Sequence, residues 1–358
     1  MQIDHVHFYL DDAPRWRRWF AHAMGFVPIA SGSCATDTDT EILRSGPVTL
    51  ALSSPRSPAS PVAPYLADRP PGVAELAFRV ADIDFYCASG GDRGRIQTQS
   101  DPQGTLRWCS LASPAGIAHT LIERSGSTPP LPHWSEGSPA ASAPAAPEVT
   151  FSGIDHAVVN VPAGALESTA AWYEATLGFQ RQQRFSIQTQ QSGLYSQVMV
   201  HPDSGVRLPI NEPSSANSQI AEFLQANGGP GLQHLALQVQ PIAQATRELR
   251  QAGVPFLPVP EAYYERLQAR SPQLPLSPSE WQVIAEAQVL VDCERSETNG
   301  HSEASPLLLQ IFTQPIFHCP TFFFELIERR QQAQGFGEGN FQALFEAMER
   351  EQLKRASL

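Results

Sequence analysis

The feature that most constrains the fold is that the chain is written twice. "IDHVHFYL" (Ile3–Leu10) returns as "IDHAVVNV" (Ile154–Val161). Each copy is followed by a helical stretch that stops at a glycine, "RWRRWFAHAMGF" and then "TAAWYEATLGF". Farther along, "GVAELAFRV" (Gly72–Val80) matches "GLQHLALQV" (Gly231–Val239), and "HTLIERS" (His119–Ser125) matches "FELIERR" (Phe324–Arg330). Matching blocks in the same order mean that one unit has been duplicated. Within each half the pattern runs strand, helix, several strands, twice over. "GPVTLALSS" and "SPLLLQIFT" are apolar β-type runs, whereas "QATRELRQAG" and "FQALFEAMEREQLKR" have helical spacing. The expectation is an α+β protein of two tandem domains, each built from two βαβββ modules on a strongly curved mixed sheet. The 358 residues also exceed what one small core organises. Between the halves, residues 125–149 are rich in Pro, Ala and Ser and lose all hydrophobic period, which predicts an exposed, partly extended linker. The domains are therefore read as 1–124 and 150–358, joined by 125–149.

Composition serves mainly to exclude. No apolar run approaches the roughly 18 residues of a membrane span. The formal charge of −12 argues against nucleic acid as a partner, because phosphate binding wants basic patches. "MQIDHVHFYL" is strand-like and has no basic leader before a long apolar stretch, so no export signal is expected. The five cysteines are scattered singly, as reduced thiols in a cytoplasmic protein would be.

The duplicate supplies an internal control for chemistry. "PTFFFELIER" places Glu325 inside an apolar strand, where an unpaired carboxylate costs several kcal/mol or takes up a proton. Its counterpart in the first half is Thr120, so the strand does not need an acid there. By the same alignment His5 faces His156, and Glu75 faces His234. The second half thus offers His156, His234 and Glu325, each within an apolar strand. Two neutral imidazoles and one carboxylate form a facial triad suited to non-haem Fe(II), with Zn(II) and Mn(II) open on ligand type alone. The first half, with only His5 and Thr120 expected near Glu75, offers at most a weak metal set and reads rather as a vestigial site filled by packing, in a domain with a structural or oligomeric role. A lone strand histidine is more often a satisfied core residue; the metal reading rests on two histidines and a glutamate at equivalent places of the repeat. His318–Cys319 is not read as a ligand pair, since neighbours on a strand face opposite sides.

Longer motifs carry a family resemblance. Through "GIDHAVVNVP", "WYEATLGF", "LPINEP", "SQIAEFL", "GGPGLQHLAL", "FLPVPEAYYERL", "LLLQIFT", "FFFELIER" and "GFGEGNFQALFEAMEREQ", the second half resembles the 4-hydroxyphenylpyruvate dioxygenases of the vicinal-oxygen-chelate superfamily. The first half matches more weakly, chiefly at "GPVTLALSSP" and the repeat motifs. The resemblance implies a degenerate N-terminal vicinal-oxygen-chelate domain and a catalytic C-terminal one. It implies that His156, His234 and Glu325 bind one Fe(II), which an aromatic 2-oxo acid chelates through two oxygens. It further implies that Ser196, Asn211, Gln219, Gln233 and Gln310 orient the substrate or serve catalysis near the metal. Pro209, Phe312, Phe323, Phe336, Asn340 and Phe341 are implied to line the ring slot. Gln233 is awkward, because it neighbours His234 and should point the other way on a regular strand. Glycines 335, 337 and 339 make a loop, Asn340 a plausible N-cap, and an amphipathic helix follows. In the family that helix is a lid that excludes water; a helix that simply docks on the sheet is the plainer reading.

The implied reaction takes 4-hydroxyphenylpyruvate and O2 to homogentisate and CO2, in a homo-oligomer. 4-Hydroxymandelate synthase is the nearest rival; Pro209, Asn211 and Phe312 are of the ring-hydroxylating type. An extradiol catechol dioxygenase shares the ligand set but lacks "PINEP", "LLLQIF" and "GFGEGNF". A non-catalytic metal- or ligand-binding module would need neither an oxygen-reactive pocket nor a lid. The polar segment "CERSETNGHSEASP" (Cys293–Pro306) departs from the family and reads as a surface hairpin insertion.

Overall fold

The repeats become four βαβββ modules in a computed structural model, which describes all residues except 88–93, 138–146, 189–192, 271–273, 294–305, 338 and 341–358. The first module is β1 (Gln2–Tyr9), α1 (Ala13–Met24), β2 (Val27–Ser33), β3 (Thr38–Ser45) and β4 (Val48–Pro55). After α2 (Val62–Asp68) comes the second: β5 (Gly72–Arg79), α3 (Ile83–Cys87), β6 (Gln97–Ser100), β7 (Gly104–Ala112) and β8 (Ala118–Gly126). A short strand, β9 (Ser135–Glu136), follows. The third module is β10 (Gly153–Asn160), α4 (Leu166–Leu177), β11 (Gln180–Gln188), β12 (Gly193–Val200) and β13 (Arg207–Pro213). After α5 (Gln219–Ala226) the fourth begins with β14 (Gly231–Gln238) and α6 (Ile242–Gln251). It then inserts α7 (Glu261–Arg270) and α8 (Pro278–Ala287) before β15 (Leu290–Cys293), β16 (Leu307–Phe312) and β17 (Phe323–Arg330).

Among the described residues these strands form two curled mixed sheets. The first runs β6-β7-β8-β5-β1-β4-β3-β2-β9, and the second β11-β12-β13-β10-β14-β17-β16-β15. In both, the opening strands of the two modules lie side by side and antiparallel, β1 with β5 and β10 with β14. Each also pairs in parallel with the last strand of its own module, which makes the sheets mixed. This topology sets β10, β14 and β17 next to one another at the centre of the second sheet. They are the strands that carry His156, His234 and Glu325.

The duplication persists in fine detail. Helices α1 and α4 end on left-handed glycines, Gly25 at φ 74° and Gly178 at φ 73°, where a residue with a Cβ would be strained. The start of α3 is held by Ile83 N donating to Glu123 at 2.8 Å, and that of α6 by Ile242 N donating to Glu328 at 2.7 Å. The two halves then share one aromatic core. Phe8 on β1 meets Phe322 edge-on at 5.1 Å, and Phe20 on α1 meets Phe324 at 6.1 Å. Burying each such ring stabilises the chain by about 1.5–3 kcal/mol. Because side chains alternate along a strand, the face opposite this core is left for polar chemistry.

The segment between the halves does more than space them. Within it β9 pairs with β2, and Leu131 is buried against Ile42 and Ala51. Its residues 138–146 lie outside the described part, as do residues 294–305 of the expected hairpin insertion and the expected lid helix with Phe341. Among the described residues no helix is long and apolar enough to cross a membrane.

Candidate metal centre

His156, His234 and Glu325 converge. One ligand atom from each lies within 4.8 Å of the others, and all three residues are buried. Glu325 Oε2 is 3.2 Å from His156 Nε2 and 3.6 Å from His234 Nε2. His156 Nδ1 is 2.9 Å from Asp155 Oδ1. Asp155 is itself fixed by a two-pronged pair with Arg329, at 2.6 and 2.7 Å, and by Gln238 Nε2 at 3.0 Å. A carboxylate on Nδ1 selects the tautomer that carries its proton there, so Nε2 presents a lone pair to the centre. Three lone-pair donors then face a common point with only 1% of Glu325 exposed. That arrangement is repulsive unless a cation or a proton sits between them.

The electrostatics say the same. Burial pushes His156 down, but the Glu325 and Asp155 carboxylates outweigh it and raise it to about 9. These carboxylates favour positive charge beside His156, whether a proton or a metal ion. Burial, with the neighbouring His156 charge, holds His234 well below the ordinary imidazole value and keeps it neutral, as a ligand must be. For Asp155 burial acts upward, yet Arg329 and His156 keep it ionised far below the usual carboxylate range. Donor set, tautomer and charge all fit a divalent metal.

Beside the ligands opens a cavity walled mainly by apolar side chains. Phe312, Phe323, Phe336 and Pro209 line it, as do Ser196, Asn211, Gln219, Gln233 and Gln310. Phe323 stacks on His234 at 4.7 Å, and Phe336 meets His156 edge-on at 5.4 Å. Ser196 Oγ is fully buried with no hydrogen-bond partner, so a donor or acceptor is wanted there. Asn340 does not line the cavity. Its amide donates to Gln310 Oε1 at 2.9 Å, and the Gln310 amide reaches Glu325 Oε1 at 2.9 Å. Tyr263 Oη, 2.8 Å from Asn340 Oδ1, anchors the other end.

Two sequence expectations need correcting. Gln233 does not turn away from the cavity. The β10–β14 register pairs Val158 with His234 and Val159 with Leu232, so Gln233 is the extra residue of a β-bulge. A bulge breaks the alternation and lets adjacent residues share a face. The first-half set is also larger than expected. Glu75 meets His7 at 3.3 Å, and His5, His7 and Glu75 form a second cluster. His7 has Val158 as its counterpart, so aligning the halves at His156, His234 and Glu325 does not reveal it. The apolar wall residues Val158, Phe185, Ile187, Leu194 and Ile220 were missed too. Nothing in a strand sequence separates a cavity-facing aliphatic side chain from a core one.

Residues 153–270 match the family described as Glyoxalase/Bleomycin resistance protein/Dioxygenase superfamily. Along nearly the whole chain there is similarity to the 4-hydroxyphenylpyruvate dioxygenase of Yarrowia lipolytica, 34% identical over 99% of this chain and 93% of that protein. The chain belongs to the 4-hydroxyphenylpyruvate dioxygenase family. The Caenorhabditis elegans 4-hydroxyphenylpyruvate dioxygenase is 33% identical over the same shares of each chain. Among solved structures, a triple-substituted variant of 4-hydroxymandelate synthase from Streptomyces coelicolor is similar, with TM-score 0.77 and 30% identity over 98% of this chain and 99% of its own. The chain is thus a dioxygenase with the tandem vicinal-oxygen-chelate architecture. Its metal-fitting centre sits in the second half.

Proposed function

We propose that this chain is an Fe(II) enzyme that converts 4-hydroxyphenylpyruvate and O2 to homogentisate and CO2. The observation that carries the reading is the convergence of His156, His234 and Glu325 beside an aromatic-walled cavity. His156, His234 and Glu325 would hold the ion on one face and leave its other positions to small ligands. Iron, when bound, supplies chelation of the 2-oxo acid and activation of O2 for oxidative decarboxylation and ring hydroxylation.

The protein's own part is position and dryness. Phe312, Phe323, Phe336 and Pro209 give the apolar walls that an aromatic ring needs. Ser196, Asn211, Gln219 and Gln233 are the polar groups that orient the substrate's oxygen atoms. Gln310 and Asn340 act through Glu325 and the Phe336 backbone, as positioning residues. The apolar wall keeps bulk water from the reactive centre.

A second reading is supported by the likeness to 4-hydroxymandelate synthase. One assay separates them. Protein supplied with Fe(II), ascorbate and 4-hydroxyphenylpyruvate should consume O2 and release homogentisate. Hydroxymandelate as the sole product would overturn the preferred reading, and absence of O2 uptake would sink both.

A further inference from the structure

We propose that the N-terminal half carries a second divalent transition-metal site, formed by His5, His7 and Glu75. One ligand atom from each lies within 4.8 Å of the others, the same limit that the second-half centre meets. The two histidines are 2% and 5% exposed, and the Glu75 side chain is largely buried.

The shell that orients the first histidine has been kept intact. Asp4 Oδ1 is 2.9 Å from His5 Nδ1, and Arg124 grips Asp4 with Nε and Nη2, each at 3.0 Å. This repeats His156, Asp155 and Arg329 residue for residue. His5 Nε2 is thereby left as the lone-pair donor facing inward, as in the second half. Packing alone does not need this tautomer.

The third ligand has moved from one strand to another. Thr120 stands where Glu325 would be, and its hydroxyl bonds both Ser110 Oγ, at 2.7 Å, and Glu75. In exchange, β1 pairs His7 with Glu75 just as β10 pairs Val158 with His234. His7 thus fills the place of an aliphatic residue, directly across from Glu75. Its Nε2 is 2.7 Å from Ser53 Oγ, which also meets Thr40 Oγ1 at 2.8 Å. Where Nε2–H donates to Ser53, Nδ1 aims its lone pair at Glu75 Oε2, 3.3 Å away; in the other tautomer Nε2 accepts from the Ser53 hydroxyl and Nδ1–H donates to that carboxylate. A cation shared by His5, His7 and Glu75 resolves that contact; two nitrogens and a carboxylate oxygen are a donor set for first-row divalent ions. The rival is the tautomer in which His7 Nδ1–H donates to Glu75 and no metal binds.

The test counts metal and does not depend on turnover, so it stands apart from the dioxygenase reading. Metal-stripped full-length protein is dialysed against Co(II), and bound metal is measured per chain. Wild type should bind two equivalents. The His156→Ala/Glu325→Ala protein should keep one, and its melting temperature should rise with Co(II). Adding His7→Val, the residue of the other half, should remove that last equivalent. Glu75→Gln in the same background serves if His7→Val does not fold, and should do likewise. One equivalent in wild type, none in the double variant, or an equivalent that survives both further substitutions overturns the proposal.

Discussion

Gln310 lies between Glu325 and Asn340, its amide nitrogen 2.9 Å from one and its carbonyl oxygen 2.9 Å from the other. The Gln310 amide also donates to Phe336 O at 3.0 Å. One side chain thus joins the carboxylate of the candidate centre to the loop around Phe336. Gln310→Leu should loosen Glu325 and lower metal affinity about 10- to 100-fold, the usual cost of losing such a partner. Isothermal titration with Fe(II) or Co(II) checks this. Unchanged affinity would show that Glu325 is placed by its strand alone.

Gly337 abuts the same glutamine. Its φ is +81°, and a Cβ there would collide with the Gln310 side chain. Gly337→Ala is expected to displace Gln310 and lower kcat/KM about tenfold or more, with little loss of global stability because the strain sits at a loop. Steady-state kinetics beside a thermal melt would separate the two effects.

Asp155 should matter for both metal and fold. Asp155→Asn keeps the shape but gives up the charge that holds His156 and Arg329. Metal affinity should fall about 10- to 100-fold. Asp155→Ala also takes the paired carboxylate from Arg329, which is 13% exposed at its side chain, and should cost about 3–5 kcal/mol in denaturant unfolding.

Stability should weaken in mild acid through His119. This side chain is wholly buried, with Nδ1 2.9 Å from Leu76 O and Nε2 2.8 Å from Tyr173 Oη of the other half. Burial lowers it from 6.5 to about 4. Between those pH values the unfolded chain binds a proton that the folded chain refuses, so stability falls as pH falls. At about 1.4 kcal/mol per pH unit the loss approaches about 3 kcal/mol by pH 4. His119→Gln should flatten this part of the pH–stability curve. An equal slope in wild type and variant would assign it to other groups.

Loss of Glu325 is the plainest check on the centre. Glu325→Ala should abolish turnover and bind the catalytic metal at least 100-fold more weakly. Full activity in that variant would rule out the ligand assignment.

The sequence by itself determined the duplication, the βαβββ order and the three polar residues that converge in the second half. Repeats are legible because hydrophobic period and turn glycines are local, and the candidate centre is legible because an acid in an apolar strand has no packing reason. Tertiary structure decided what depends on register and on neighbours across strands. Gln233 turns toward the cavity only because a bulge in β14 breaks the alternation. His7 meets Glu75 only because β1 and β5 pair at that step. Whether Val158 or Phe185 faces cavity or core is likewise set by sheet curvature, which no local pattern encodes. The same strand residue becomes filler or ligand according to what stands opposite it.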